Sequence, residues 1–172
     1  NGTTHLEVKS GYGLDTQSEL RLLSVAESIA KVEGMPSLDL TWLGAHAAPP
    51  GLSLDAYVEV LLSEQLPKIT EQGYARSADV FCEPGWFSVE QSEEILKQSR
   101  ENGLDLRMHI DEFTDGGGGD LASELKVQTA DHAHYSNENA RHAMNDSGVN
   151  TAFLPGTPYT MGDKFPPFDY CL

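Results

Sequence analysis

The sequence predicts an α/β fold in which short parallel strands alternate with helices. Three observations carry this. Six short apolar or β-branched runs are spread along the chain, helical patterns with their own start and stop signals lie between them, and 172 residues at 39% hydrophobic can bury a real core. The strands are expected over 5–9, 40–43, 79–82, 105–109, 128–132 and 149–154, each mostly apolar or β-branched. Between the first two, Thr16 and Glu19 have the spacing of a capping box. Leu20, Leu23, Ala26, Ile29 and Ala30 then share one helical face before Gly34 stops the helix. A helix over 54–62 follows, bent or restarted at Pro67. Ser88 and Gln91 repeat the capping device ahead of Val89, Ile95 and Leu96, with Gly103 as the stop, and shorter helices are expected over 121–125 and 137–145. The glycine run "DGGGGD" at 115–120 lacks the Lys-Ser/Thr of a phosphate loop, so it reads as a mobile loop before a short helix.

Charge and cysteine usage exclude several function classes. Eleven basic residues against twenty-seven acidic ones leave a formal charge of −16, which repels nucleic-acid backbones and anionic membrane surfaces. No apolar run approaches a bilayer span, and a basic-then-apolar leader is missing, so a cytoplasmic protein is expected. Cys82 and Cys171 make no CxxC pair and read as reduced thiols.

Alternating strands and helices require right-handed crossovers and a parallel sheet, either open and doubly wound or closed as a (β/α)₈ barrel. "KSGYGLD" after the first strand lacks the glycine spacing of a dinucleotide site. The barrel gains from the placement of the chemical residues, because the C-terminal ends of barrel strands converge on one mouth. Lys9 and Tyr12 follow the first run, His46 the second, Glu83 the third, His109 and Glu112 the fourth, His132 and His134 the fifth, and Thr157 the sixth. Histidines at converging strand ends suit a divalent metal, with nearby carboxylates setting their tautomers. Asp131 is the weaker candidate, since neighbours in a strand point to opposite sides, and His134 reads as a surface-loop residue.

Six segments, "EVKSGYGLD", "TWLGAHAAPP", "ADVFCEPGWFSVEQS", "LRMHIDEF", "TADHAHYS" and "FLPGT", occur in an order that resembles the strand-end motifs of the imidazolonepropionase family of cyclic amidohydrolases. The resemblance implies a metal-dependent (β/α)₈ TIM barrel of the hydrolase type, with about six of its eight βα units here, so that 1–172 is an incomplete barrel domain and an interior fragment. It implies one zinc or iron ion and hydrolysis of 4-imidazolone-5-propanoate to N-formimidoyl-L-glutamate, in a cytoplasmic enzyme for which a homodimer is an expected assembly. His109 is then a metal ligand, Glu112 and His132 are catalytic, and Tyr12, His46 and Glu112 contact substrate. The family's HxH pair, its substrate-carboxylate arginine and its last-strand aspartate have no counterpart in these 172 residues. The terminal "DYCL" also departs from the family pattern, and weak metal binding by this chain alone is expected. Another amidohydrolase such as a deaminase, a non-catalytic metal-binding α/β domain and a plain structural module are the competing readings.

Overall fold

The computed structural model describes residues 2–166. Six strands, β1 (His5–Lys9), β2 (Ser37–Ala45), β3 (Ser77–Cys82), β4 (Asp105–Ile110), β5 (Thr129–His132) and β6 (Asn150–Ala152), form one sheet in the order β1-β2-β3-β4-β5-β6. Sequential order with parallel neighbours is the strand arrangement of a (β/α)₈ barrel, as expected. Between and after the strands lie α1 (Thr16–Ala30), α2 (Leu54–Val60), α3 (Leu66–Gln72), α4 (Val89–Glu101), α5 (Gly118–Leu125), α6 (Glu138–Ser147) and α7 (Gly156–Met161). Cys171 and the rest of "DYCL" lie outside the described residues. No helix among those described is long and apolar enough to cross a membrane.

The chain divides into two compact units: Asn1–Val80 with Glu94–Asp105, and Phe81–Glu93 with Leu106–Leu172. In the first, α1 packs on β2 and α3. Leu23, Ala26, Leu40, Trp42, Leu43, Tyr57, Leu61, Leu66 and Ile69 are buried. Helix α1 is capped by Asp15 and not by Thr16: an Asp15 oxygen accepts from Ser18 N at 2.9 Å, one residue earlier than the spacing suggested. Glu19 turns inward instead and accepts from Gly13 N at 2.8 Å.

Pro67 breaks the second helical stretch through a π-helical turn, Leu61–Gln65, that joins α2 to α3. Proline has no N–H for the carbonyl four residues back, so the wider turn falls where that bond is missing. The turn also brings Gln65 into the core, where it accepts from Trp42 Nε1 (3.4 Å) and donates to Tyr57 Oη (3.2 Å).

The second unit centres on α5 against α6 and on β5 paired with β6. Met108, Ile110, Leu121, Ala122, Leu125, Ala130, Ala140 and Met144 are buried. Ser88 and Gln91 form the expected reciprocal cap, Ser88 N donating to Gln91 Oε1 (3.0 Å) and Gln91 N to Ser88 Oγ (3.2 Å). Strand β6 is shorter than the apolar run 149–154 that announced it, and α7, which no periodic pattern announced, follows.

The glycine run proves to be structured. Gly117, at φ +84°, starts α5, and the N–H groups of Gly116 and Gly118 donate to Asp111 Oδ1 (3.1 and 3.2 Å) while Gly119 N donates to Oδ2 (3.3 Å). Ser136 Oγ completes the cradle at Oδ2. A Cβ at Gly118 would lie 2.7 Å from Ile110 Cβ, and one at Gly119 2.9 Å from Ala140 Cβ, so the close approach itself demands glycine there.

Candidate active site

Register places the groups of the second unit. His109 on β4 is the direct partner of Asp131 on β5, so both side chains leave the same face of the sheet. His109 Nε2 lies 3.8 Å from Asp131 Oδ2. Alternation would then send His132 to the other side, but His132 has φ +66° and Ala133 φ +46°. Left-handed backbone at the strand end breaks the two-residue period and turns the His132 ring toward His109, the ring centroids being 5.5 Å apart. Asp131 and His132 therefore both belong to the cluster, a correction to the expectation that only one could.

Two adjacent non-glycine residues in the left-handed region are strained and persist only where their surroundings hold them. Arg141 supplies much of that hold, donating through Nη2 to Ala133 O (2.8 Å) and His134 O (3.0 Å) and through Nε to Ser136 O (2.8 Å). Ala133 N to Ile110 O (3.0 Å) and Tyr135 N to Asp111 O (2.9 Å) tie the segment to the end of β4.

Glu112 follows β4 by two residues, and its Oε2 is 3.5 Å from His132 Nε2, both side chains being largely buried. Burial pushes the Glu112 carboxyl above the usual carboxylate range, and the nearby His109 charge partly opposes this. A carboxyl that holds its proton to higher pH than usual, set beside an imidazole, is placed to exchange a proton with it. Phe81 lies edge-on to His109 at 6.3 Å, and Trp86 is tilted against Phe113 at 5.6 Å. A cleft beside the pair is lined by Glu112, His132, His134, Leu154, Thr157 and Asp163, so His134 is a half-buried loop residue that also lines the cleft.

Glu83, at the end of β3, is buried and faces backbone: its Oε2 accepts from Glu112 N (2.9 Å), and its Oε1 from Phe113 N (3.2 Å) and Thr114 N (2.9 Å). Sequence reading placed Glu83 at a strand end without this role, because its partners lie about thirty residues on. Asp111 was likewise given no role in sequence: its glycine donors lie within a run that reads as a plain loop, and Ser136 is 25 positions on.

In the first unit, Tyr12 Oη and His46 Nε2 are 3.2 Å apart with ring centroids at 4.5 Å, so the two expected substrate contacts pack on one another. Lys9 Nζ donates to Glu7 Oε1 and Asp79 Oδ2, both at 2.6 Å, and Thr41 Oγ1 also donates to Glu7. Lys9 thus serves a local ion-pair network.

The donor chemistry at His109 suits a metal ion. Two ligand atoms about 2.0–2.2 Å from one zinc-like ion, at a roughly tetrahedral angle, lie about 3.3–3.6 Å apart. The 3.8 Å between His109 Nε2 and Asp131 Oδ2 reaches that with a small side-chain rotation. Imidazole and carboxylate are both ordinary zinc or iron ligands.

Comparison with known proteins gives the fold class first. The chain superposes on a guanine deaminase from C. acetobutylicum with a TM-score of 0.71 at 14% identity, covering 99% of this chain and 44% of that one. It superposes on an adenosine deaminase from Xanthomonas campestris, solved with bound zinc, with a TM-score of 0.60 at 13% identity, covering 98% and 39%. At such identities the likeness is one of fold alone, that of part of a (β/α)₈ barrel. No family model matches the chain. In sequence the chain is similar to imidazolonepropionases: it is 46% identical to that of Desulfotalea psychrophila over 162 residues, 93% of this chain and 39% of that protein. The imidazolonepropionase of Halobacterium salinarum is 42% identical over 165 residues, 96% and 39%. The chain spans about two fifths of the length of these curated relatives.

Proposed function

We propose that this chain carries the acid–base part of a metal-dependent cyclic amidohydrolase that opens the ring of 4-imidazolone-5-propanoate to N-formimidoyl-L-glutamate in histidine breakdown. The observation that carries the reading is the Glu112–His132 pair, 3.5 Å apart beside His109, in a chain that resembles imidazolonepropionases over nearly all its length. Ring opening forms a bond from a water oxygen to the ring carbonyl carbon and breaks the bond from that carbon to the ring nitrogen. Glu112 accepts the proton the attacking water must lose and returns it to the departing nitrogen, so one carboxyl serves as base and then as acid. His132 orients Glu112 and donates toward the developing charge on the carbonyl oxygen.

His109, with Asp131 beside it, would hold the zinc or iron ion, which when bound supplies the Lewis acidity that makes water reactive at neutral pH. Tyr12 and His46 are assigned to substrate contact, and their polar edges suit a heterocyclic ring. Residues 1–172 count as an incomplete barrel domain on this reading, from a cytoplasmic enzyme with a homodimer as its proposed assembly. A deaminase is the second reading, and only the shared fold favours it.

The test uses a chain completed to the length of its relatives. Glu112→Gln keeps the shape and removes the proton acceptor, so kcat/KM falls about 10²-fold or more while metal content and Tm stay near wild type. His132→Asn behaves alike. His109→Ala loses metal. Full activity in Glu112→Gln removes that residue from the mechanism, and metal loss in His132→Asn makes His132 a ligand.

A further inference from the structure

Glu112 sits on a loop, and connecting segments are by default the mobile part of an α/β fold. This loop is held differently. Three consecutive N–H groups, of Glu112, Phe113 and Thr114, converge on the single carboxylate of Glu83 at 2.9, 3.2 and 2.9 Å, and both of its oxygens are used. Successive N–H groups pointing one way form a concave anion site, and here a side chain of the same chain fills it with charge-assisted bonds. Glu83 is 2% exposed, so water competes little for those donors. Its own backbone is fixed in turn: Glu83 N donates to Phe87 O (3.2 Å), and Trp86 N to Glu83 O (2.9 Å). On the other side of Glu112, the Asp111 carboxylate is locked by the glycine cradle. The backbone bearing Glu112 is therefore gripped from both sides, and none of those grips uses the Glu112 side chain.

We propose that Glu83 is the positioning residue of the acid–base pair: its carboxylate fixes the 112–114 backbone so that the Glu112 side chain meets His132 in a reactive geometry. The proposal rests on the acid–base role of Glu112 given above. An amide cannot replace this carboxylate, because an NH₂ turned toward N–H donors repels them and only one oxygen remains for three donors.

The experiment places Glu83→Gln, Glu112→Gln and the double variant in the completed enzyme. Glu83→Gln should lower kcat about 10- to 100-fold with KM changed less than about threefold. Amide hydrogen exchange at Phe113 and Thr114 should quicken about tenfold or more, while Gly118 and Gly119 exchange as before. The double variant should be no slower than Glu112→Gln alone, because Glu83 acts only through Glu112. A purely structural role would instead add its loss to that of Glu112→Gln. If Glu83→Gln does not fold, Glu83→Asp keeps the charge but shortens the reach, and the same exchange and kcat shifts should appear in smaller measure. Unchanged exchange at 113 and 114, unchanged kcat, or additive losses in the double variant overturn the proposal. Full activity in Glu112→Gln overturns the acid–base reading and this proposal with it, whereas a slow Glu112→Gln beside an undamaged Glu83→Gln overturns this proposal alone.

Discussion

Cys82 shows how burial decides the chemistry of a single residue. A thiol is a strong nucleophile only as thiolate, and here burial pushes its pKa up to about 11, the Ser92 hydrogen bond opposing only in part. The thiol stays neutral in the folded protein well past the pH at which an exposed cysteine ionises. The sign follows from linkage: stability from keeping this thiol neutral is fully present below the ordinary thiol pKa and is lost as pH rises through about 11. In a Cys171→Ser background, alkylation of Cys82 at pH 8 should run at least about 100-fold slower in the native protein than in denaturant. Comparable rates would mean that the thiol is accessible. The carboxyls of Glu83, Asp111 and Glu112 are displaced the same way by burial, so each keeps its proton to higher pH than a surface carboxyl. Only Glu112 lies against an imidazole partner in the cleft.

At the scale of an element, the stretch from the end of β4 to the start of α5 is specified by buried carboxylates that accept from its backbone. Asp111 is fully buried, sits at φ +48° and accepts from three glycine N–H groups and a serine hydroxyl. Asp111→Asn turns one oxygen into a donor facing donors, so unfolding free energy measured by urea should drop by about 2–4 kcal/mol. A drop under about 0.5 kcal/mol would mean that water replaces the lost acceptor. "DGGGGD" resembles a flexible loop in sequence because the acceptor that orders it lies before it and Ser136 far beyond it. The Ser88–Gln91 cap, by contrast, is complete within four residues and could be read directly.

Over the whole molecule the dominant quantity is charge. A formal −16 on 172 residues remains after eleven basic side chains are set against twenty-seven acidic ones, and some of the basic ones are engaged locally, such as Lys9 between Glu7 and Asp79. Like charge at that density opposes compaction, and salt screens it over a few ångströms at high concentration. Raising sodium chloride from about 0.05 M to about 1 M should raise Tm by several degrees, followed by circular dichroism. A flat or falling Tm would mean that local pairing already offsets the acidic surplus. The first unit also exposes an apolar groove lined by Leu6, Leu22, Val25, Ile29 and Met35, where the helical face expected inward at Ile29 stands 40% exposed.

Strand order, most element positions and the residues at strand ends were legible in the sequence, because strands, caps and breakers act over two to five residues and leave periodic or fixed-spacing marks. His109 and Glu112 could be singled out on the same ground, three residues apart after an apolar run. The pairing of Asp131 with His109 depends on the β4–β5 register, and the turn of His132 toward the same cluster depends on two left-handed residues that Arg141 holds from the next helix. Glu83 reaches its three N–H donors across 29 to 31 positions. Local patterning specified which groups this chain would spend on chemistry, whereas register, backbone strain and long-range carboxylate contacts, which depend on segments distant in the chain, decided which of them meet.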